Sequence, residues 1–166
     1  MNTNLSQLSK FLVKAKINTY ASSGEGGERI LSDGSKEFEF KEGEFKYRDR
    51  YFGYNPFIGQ EIVWRNEKVV WGMNYYGKIV SEIIPAKDIY QFLQEALKRV
   101  TKDKPFRGPN NYRRDDFKYI NKTKGNVEKF EGQEIIFYKN KLVYKLNYHG
   151  KLVTMKQSQK FLKDYF

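Results

Sequence analysis

Apolar and polar residues alternate along two stretches of this chain with the period of a strand rather than a helix. In the first, Ile62 and Trp64 alternate with Glu61, Val63 and Arg65, and Val69, Trp71, Met73 and Tyr75 alternate with Val70, Gly72, Asn74 and Tyr76. Period two with β-branched and aromatic residues predicts half-buried strands. A two-residue turn at Asn66-Glu67 closes them into a hairpin, because Asn tolerates the positive φ of such a loop. That register sets Trp64 opposite Val69, Ile62 opposite Trp71 and Glu61 opposite Gly72. The predicted core face is then Ile62, Trp64, Val69, Trp71, Met73 and Tyr75, with both tryptophans on one side and Glu61 and Asn74 together on the other.

The second stretch repeats the first. Phe57 to Val80 aligns without a gap on Phe130 to Val153, 73 positions later, and twelve of the 24 aligned positions are identical. Repeats of this kind dictate architecture and are sought first. By the same parity Phe137 faces Leu142 and Ile135 faces Tyr144 across a turn at Lys139-Asn140. The predicted core face is Ile135, Phe137, Leu142, Tyr144, Leu146 and Tyr148, and Glu134 and Asn147 share the other face, with Glu134 opposite Lys145. Phe45-Lys46-Tyr47 recurs as Phe117-Lys118-Tyr119, which adds a strand to each unit.

Around the hairpins, residues 4–18 place Leu5, Leu8, Leu12 and Ala15 at helical spacing. Thr19 to Asp33 is rich in Gly and Ser and reads as a loop. Lys36–Phe40 and Glu44–Phe52 read as strands. Pro85 opens a helix with Ile89, Phe92, Leu93, Ala96, Leu97 and Val100 on one stripe. Thr101 to Asp116 is broken by Pro105, Gly108 and Pro109 and reads as a linker. Thr154 to Gln157 has capping-box spacing and predicts a C-terminal helix with Phe161, Leu162 and Tyr165 inward. The expected fold is α+β: internally duplicated ββ(β)α units with pseudo-two-fold symmetry, antiparallel sheet or sheets covered by helices, and an extra N-terminal helix. Residues 1–166 make one domain, with unit one at about 43–100, unit two at about 116–166 and a basic linker at 101–115.

The chain has no cysteine, which excludes disulfides and thiolate metal sites. No apolar run approaches the roughly 18 residues of a membrane span, and the N-terminus lacks a signal-peptide pattern, so a cytoplasmic protein is expected. The net charge of +11 changes the picture through its distribution. Residues 1–97 hold 13 Lys/Arg and 13 Asp/Glu, whereas residues 98–124 hold 10 and 3, and residues 125–166 hold 8 and 4. A/T-rich codons would raise lysine everywhere; they do not explain a neutral first half. The excess points to an anionic partner on the second half.

The run TYAS, FEFKEGEFKYRDRYFG, FIGQEIVW, VVWGMNYYG and PFRGP resembles an uncharacterised bacterial domain family whose members occur alone or C-terminal to a helix-turn-helix in Xre-type transcriptional regulators. The chain departs from it in lacking the helix-turn-helix and in Glu28-Arg29-Ile30-Leu31-Ser32, where the resemblance leads one to expect Ser-Arg-Pro. The resemblance implies a module working beside DNA-binding regulators, with sensing rather than catalysis as its task.

Two candidate sites follow. Asp49, Tyr51, Glu61, Trp71, Asn74 and Tyr75, under the glycine loop, would bind a small-molecule ligand in a regulatory module without catalytic activity or cofactor. Alternatively, Arg107, Arg113, Arg114, Lys118, Lys122 and Lys124, interleaved with aromatics, would bind nucleic acid. An enzyme is the third reading. His149, the one histidine, has no nucleophile or metal-ligand partner marked in the sequence, so an acid/base pair would have to be assembled by the fold.

Overall fold

The computed structural model describes residues 4–23 and 27–153. The helix expected from Thr154 onward, and Gly24–Gly26 of the glycine loop, lie outside the described residues.

The elements are α1 (Leu5–Ile17), α2 (Tyr20–Ser23), β1 (Arg29–Ile30), β2 (Lys36–Glu42), β3 (Phe45–Gly53), β4 (Phe57–Arg65), β5 (Lys68–Ile79), α3 (Ala86–Leu97), β6 (Asn111–Arg114), β7 (Phe117–Asn126), β8 (Lys129–Tyr138) and β9 (Lys141–Leu152). Every strand joins one antiparallel sheet in the order β1-β2-β3-β4-β5-β9-β8-β7-β6. This overturns the expected architecture of repeated ββ(β)α units with helices covering the sheet. The two hairpins fuse edge to edge, β5 running antiparallel to β9 with Tyr75 opposite Tyr148. The linker is not free of regular structure either: Asn111–Arg114 pairs with Phe117–Ile120 as an edge strand. Its short polar sequence carries no alternation to announce it, and its inward residues, Tyr112 and Arg114, are held by Phe92 and Phe117.

The helices pack on one face. In α1, capped by Asn4, Phe11 meets Phe40 and stacks on Phe45. In α3, Phe92 stacks on Phe117 and Tyr112, and Tyr90 meets Phe57 and Tyr144. Between them Phe106 stacks on Phe130, which stacks in turn on Trp71. Beneath the helices lie Tyr47, Val63, Trp71, Tyr119, Ile136 and Tyr144, all essentially inaccessible. Among the described residues the opposite face bears no helix.

Both hairpin turns have the expected place and conformation, with positive φ at Asn66, Glu67, Lys139 and Asn140. The parity that follows them is not as expected. Trp64 pairs with Val69, but Val63 pairs with Trp71, so the register shifts and Val70 is the extra residue. The second hairpin does the same: Phe137 pairs with Leu142 and Ile136 with Tyr144, with Val143 extra. An extra residue in one strand reverses every side chain beyond it relative to the partner. Glu61 and Val63, Glu134 and Ile136 therefore face the helices, and Ile62, Trp64, Ile135 and Phe137 face away. Trp64 and Trp71 lie on opposite faces: Trp71 is fully buried, whereas Trp64 lies under Lys46 and Arg48. Leu142, expected in the core, is exposed. Glu134 stands opposite Leu146, not Lys145.

Candidate functional site

The bulges create two polar regions, one beneath the helices and one on the open face. Beneath the helices each hairpin buries one glutamate, and each is met by a cation from outside its hairpin. Lys16 of α1 pairs with Glu61. Arg107, from the segment between α3 and β6, grips Glu134 with two bonds, Nη2 to Oε1 at 2.6 Å and Nε to Oε2 at 3.1 Å. The hydroxyls of Tyr119 and Tyr144 also donate to Glu134, at 2.7 and 3.0 Å. A carboxylate with four donors is the arrangement that makes burial of charge tolerable. Asp49 lies opposite Glu61 across β3 and β4 and accepts from the Tyr75 hydroxyl at 2.6 Å. Burial and the neighbouring Glu61 push its pKa up to about 7, against the pull of Tyr75, Lys16 and Arg107. Burial also lowers the Lys16 pKa, despite Glu61, and raises those of Tyr47, Tyr75, Tyr119 and Tyr144.

Five of the six residues expected to bind a ligand belong to this buried region: Asp49, Tyr51, Glu61, Trp71 and Tyr75 are each less than a tenth exposed. Trp71 is occupied with Phe130 and donates from Nε1 to the Val127 carbonyl at 3.2 Å. The hollows beside them, about 40 and 20 Å³, are of the size of a water rather than of a metabolite. Asn74, the sixth, is on the other side of the sheet. The bulge at Val70 is what separates it from Glu61.

The open face carries the larger space. Two adjoining hollows of about 820 and 710 Å³ share Asn74, Lys124, Glu131 and His149. Two rows of side chains cross them. One runs Gln60, Asn74, His149, Glu131, Lys124, and the other runs Ile58, Tyr76, Asn147, Gln133, Lys122. Gln60 donates to Asn74 at 3.0 Å and Gln133 to Asn147 at 2.9 Å. Gly72, between Ile62 and Lys151, keeps the floor low. Lys122, Lys124, Lys129 and Lys151 line the hollows.

Of the six basic residues expected to meet nucleic acid, the structure brings four to this face. Arg113 faces Lys118 across β6 and β7, and Lys122 and Lys124 follow on the same face, four and six residues further on. Arg107 and Arg114 lie on the helix side, paired with Glu134 and Glu95. Lys78, Lys129, Lys145 and Lys151 belong to the open face and were not singled out from sequence. The signal for them was the parity of β5, β8 and β9, which is legible once the bulge is placed. Among the described residues no three His, Asp or Glu side chains group as metal ligands, and no helix is long and apolar enough to cross a membrane.

Residues 49–153, well over half of the chain, match the family model described as Domain of unknown function (DUF5680). The chain belongs to that family. The matched span starts at Asp49 and covers both hairpins, Arg107 and the whole open-face hollow. No curated protein and no solved structure matches the chain.

Proposed function

We propose that this protein binds single-stranded nucleic acid on the open face of β5, β9, β8 and β7. The observation that carries the reading is charge left unpaired around a recess. On β2–β4 three basic residues of this face are ion-paired, Lys46 with Glu39, Arg48 with Glu37 and Arg50 with Asp33, and Lys41, opposite Lys46, has no ion pair among the described residues. On the other half Lys78, Lys118, Lys122, Lys129, Lys145, Lys151 and Arg113 have no ion pair among the described residues. Surplus cations flanking a recess with exposed Tyr76 and His149 suit phosphates at the rim and bases stacked within. The asymmetry of charge along the chain has this surface as its counterpart. We also read the two hairpins as copies of one unit, since each has the same bulge, the same buried Glu and the same Gln–Asn pair. A role beside a transcriptional regulator, implied by the resemblance, suits such a face.

The second reading, a regulatory module for a small anionic ligand, moves from the buried residues to the same recess, because about 820 Å³ is within the size range of metabolite sites. Salt dependence separates the two. Fluorescence anisotropy with labelled single- and double-stranded oligonucleotides should show affinity for single strands falling roughly 20-fold between about 50 and 200 mM salt if three phosphates are contacted. Replacing Lys122 and Lys124 by Ala should weaken binding and flatten the slope. A salt-independent affinity, or one unaffected by that double substitution, overturns the proposal.

A further inference from the structure

The amides on the floor of the recess have hydrogen-bonding capacity to spare. Each Gln–Asn pair spends one Gln N–H and one Asn lone pair on its internal bond. Gln60, Asn74, Gln133 and Asn147 are all exposed, and none of them has another side-chain bond among the described residues. A donor and an acceptor therefore stand side by side on each pair, facing solvent. This holds whichever way the amides are turned, since one donor and one acceptor remain in either orientation.

Each pair also has a ring beside it. Asn74 lies opposite His149 and Asn147 lies opposite Tyr76 across β5 and β9. The two asparagines are thus diagonal neighbours on adjacent strands, which places them roughly 7–8 Å apart. Two similar subsites result: Gln60–Asn74 with His149, and Gln133–Asn147 with Tyr76. Lys124 ends the row of the first and Lys122 that of the second.

We infer that these two subsites take adjacent adenine bases of a single strand, each gripped by an amide pair and stacked on the neighbouring ring. The inference rests on the nucleic-acid reading above and adds the base. An amide is the side chain that pairs bidentately with adenine N6 and N7. Adenine offers a donor beside an acceptor on both of its free edges, whereas cytosine and uracil offer one such edge. The N7/O6 edge of guanine presents two acceptors. The two-ring face of adenine also gives Tyr76 and His149 more to stack on.

The experiment compares A-only, C-only and U-only RNA strands of about ten nucleotides, within the usual span of one single-strand site, at fixed salt. The full chain should bind the A strand at least roughly fivefold more tightly than the others, the lower bound for one bidentate contact. Replacing Asn74 and Asn147 together by Ala should weaken the A strand most and remove the preference, while the salt slope, set by the phosphate contacts, stays nearly unchanged. Replacing Tyr76 by Leu should weaken the A strand by a similar factor through stacking. Thermal melting checks that these exposed substitutions leave the fold intact. Equal, salt-sensitive affinity for all three strands overturns the base assignment and leaves the surface standing. So does a preference that survives the double substitution. No salt-sensitive binding to any strand overturns both.

Discussion

Glu61 and Glu134 occupy equivalent positions in two like hairpins, yet they are stabilised in different ways. Glu134 is held by a guanidinium with two bonds and by two tyrosine hydroxyls. Glu61 has one ammonium from α1, one tyrosine hydroxyl, that of Tyr47, and a second carboxyl, Asp49, across the strand pair. In the other half the residue in Asp49's place is Asn121 of β7, opposite Glu134, and Tyr148 donates to its Oδ1 at 2.9 Å much as Tyr75 donates to Asp49. One half has a neutral amide where the other has an ionisable acid. Among the described residues Lys16 and Arg107 are two cations facing three buried carboxyl groups, and Asp49 is the one with no ion pair. Its raised pKa is the consequence. A buried polar network remains balanced by changing protonation where it cannot add a counter-charge.

The largest effect should come from removing the stronger grip. Arg107→Ala leaves Glu134 buried with its charge partner gone, and urea unfolding should show a loss of about 3–5 kcal/mol. A cost below about 1 kcal/mol would mean that the tyrosines suffice and that the two centres differ less than their geometry indicates.

Asp49 makes the pH dependence of the two halves differ. Its folded pKa of about 7 stands above its ordinary 3.8. Between those values the folded state holds a proton that the unfolded state has released, so this group's contribution declines as pH rises from about 4 to 7 and is level above that. The full separation corresponds to up to about 4 kcal/mol. Asp49→Asn should remove that decline, raising stability by about 2 kcal/mol or more at pH 8 relative to the parent and by far less at pH 4. Asn121→Asp should install the same decline in the other half. Parallel pH–stability curves for parent and Asp49→Asn would contradict this account.

The smallest effect concerns the hydroxyls. Tyr75→Phe removes the buried hydrogen bond to Asp49 and Tyr148→Phe those with Asn121 and Thr123, and each should cost on the order of 1 kcal/mol. The Tyr75 loss should grow above pH 7, where the ionised Asp49 is without its donor, while the Tyr148 loss should not vary with pH. Denaturant midpoints across pH 5–8, the range bracketing the Asp49 transition, would separate the two.

Much of this protein was determined by its sequence alone. The alternation around Trp71 and Tyr144, the Asn-bearing turns and the stripe of α3 are local patterns, and local patterns place strands, turns and helices. The gathering of basic charge in the second half is likewise a property of composition along the chain. What the tertiary structure decided is which face each side chain occupies and what meets across distance. Val70 and Val143 look like any other strand residues, and nothing local marks them as the extra residue of a bulge; yet that one position turns Glu61 inward and leaves Asn74 outward, dividing the expected ligand site in two. The pairing of β5 with β9 is equally invisible, because an edge finds its partner through backbone bonds that any sequence can make. Arg107 and Lys118 read alike in a basic run. Only the packed chain distinguishes the cation buried against Glu134 from the one facing solvent, since the energy that separates them is desolvation, which exists only once the surrounding residues have closed over the charge.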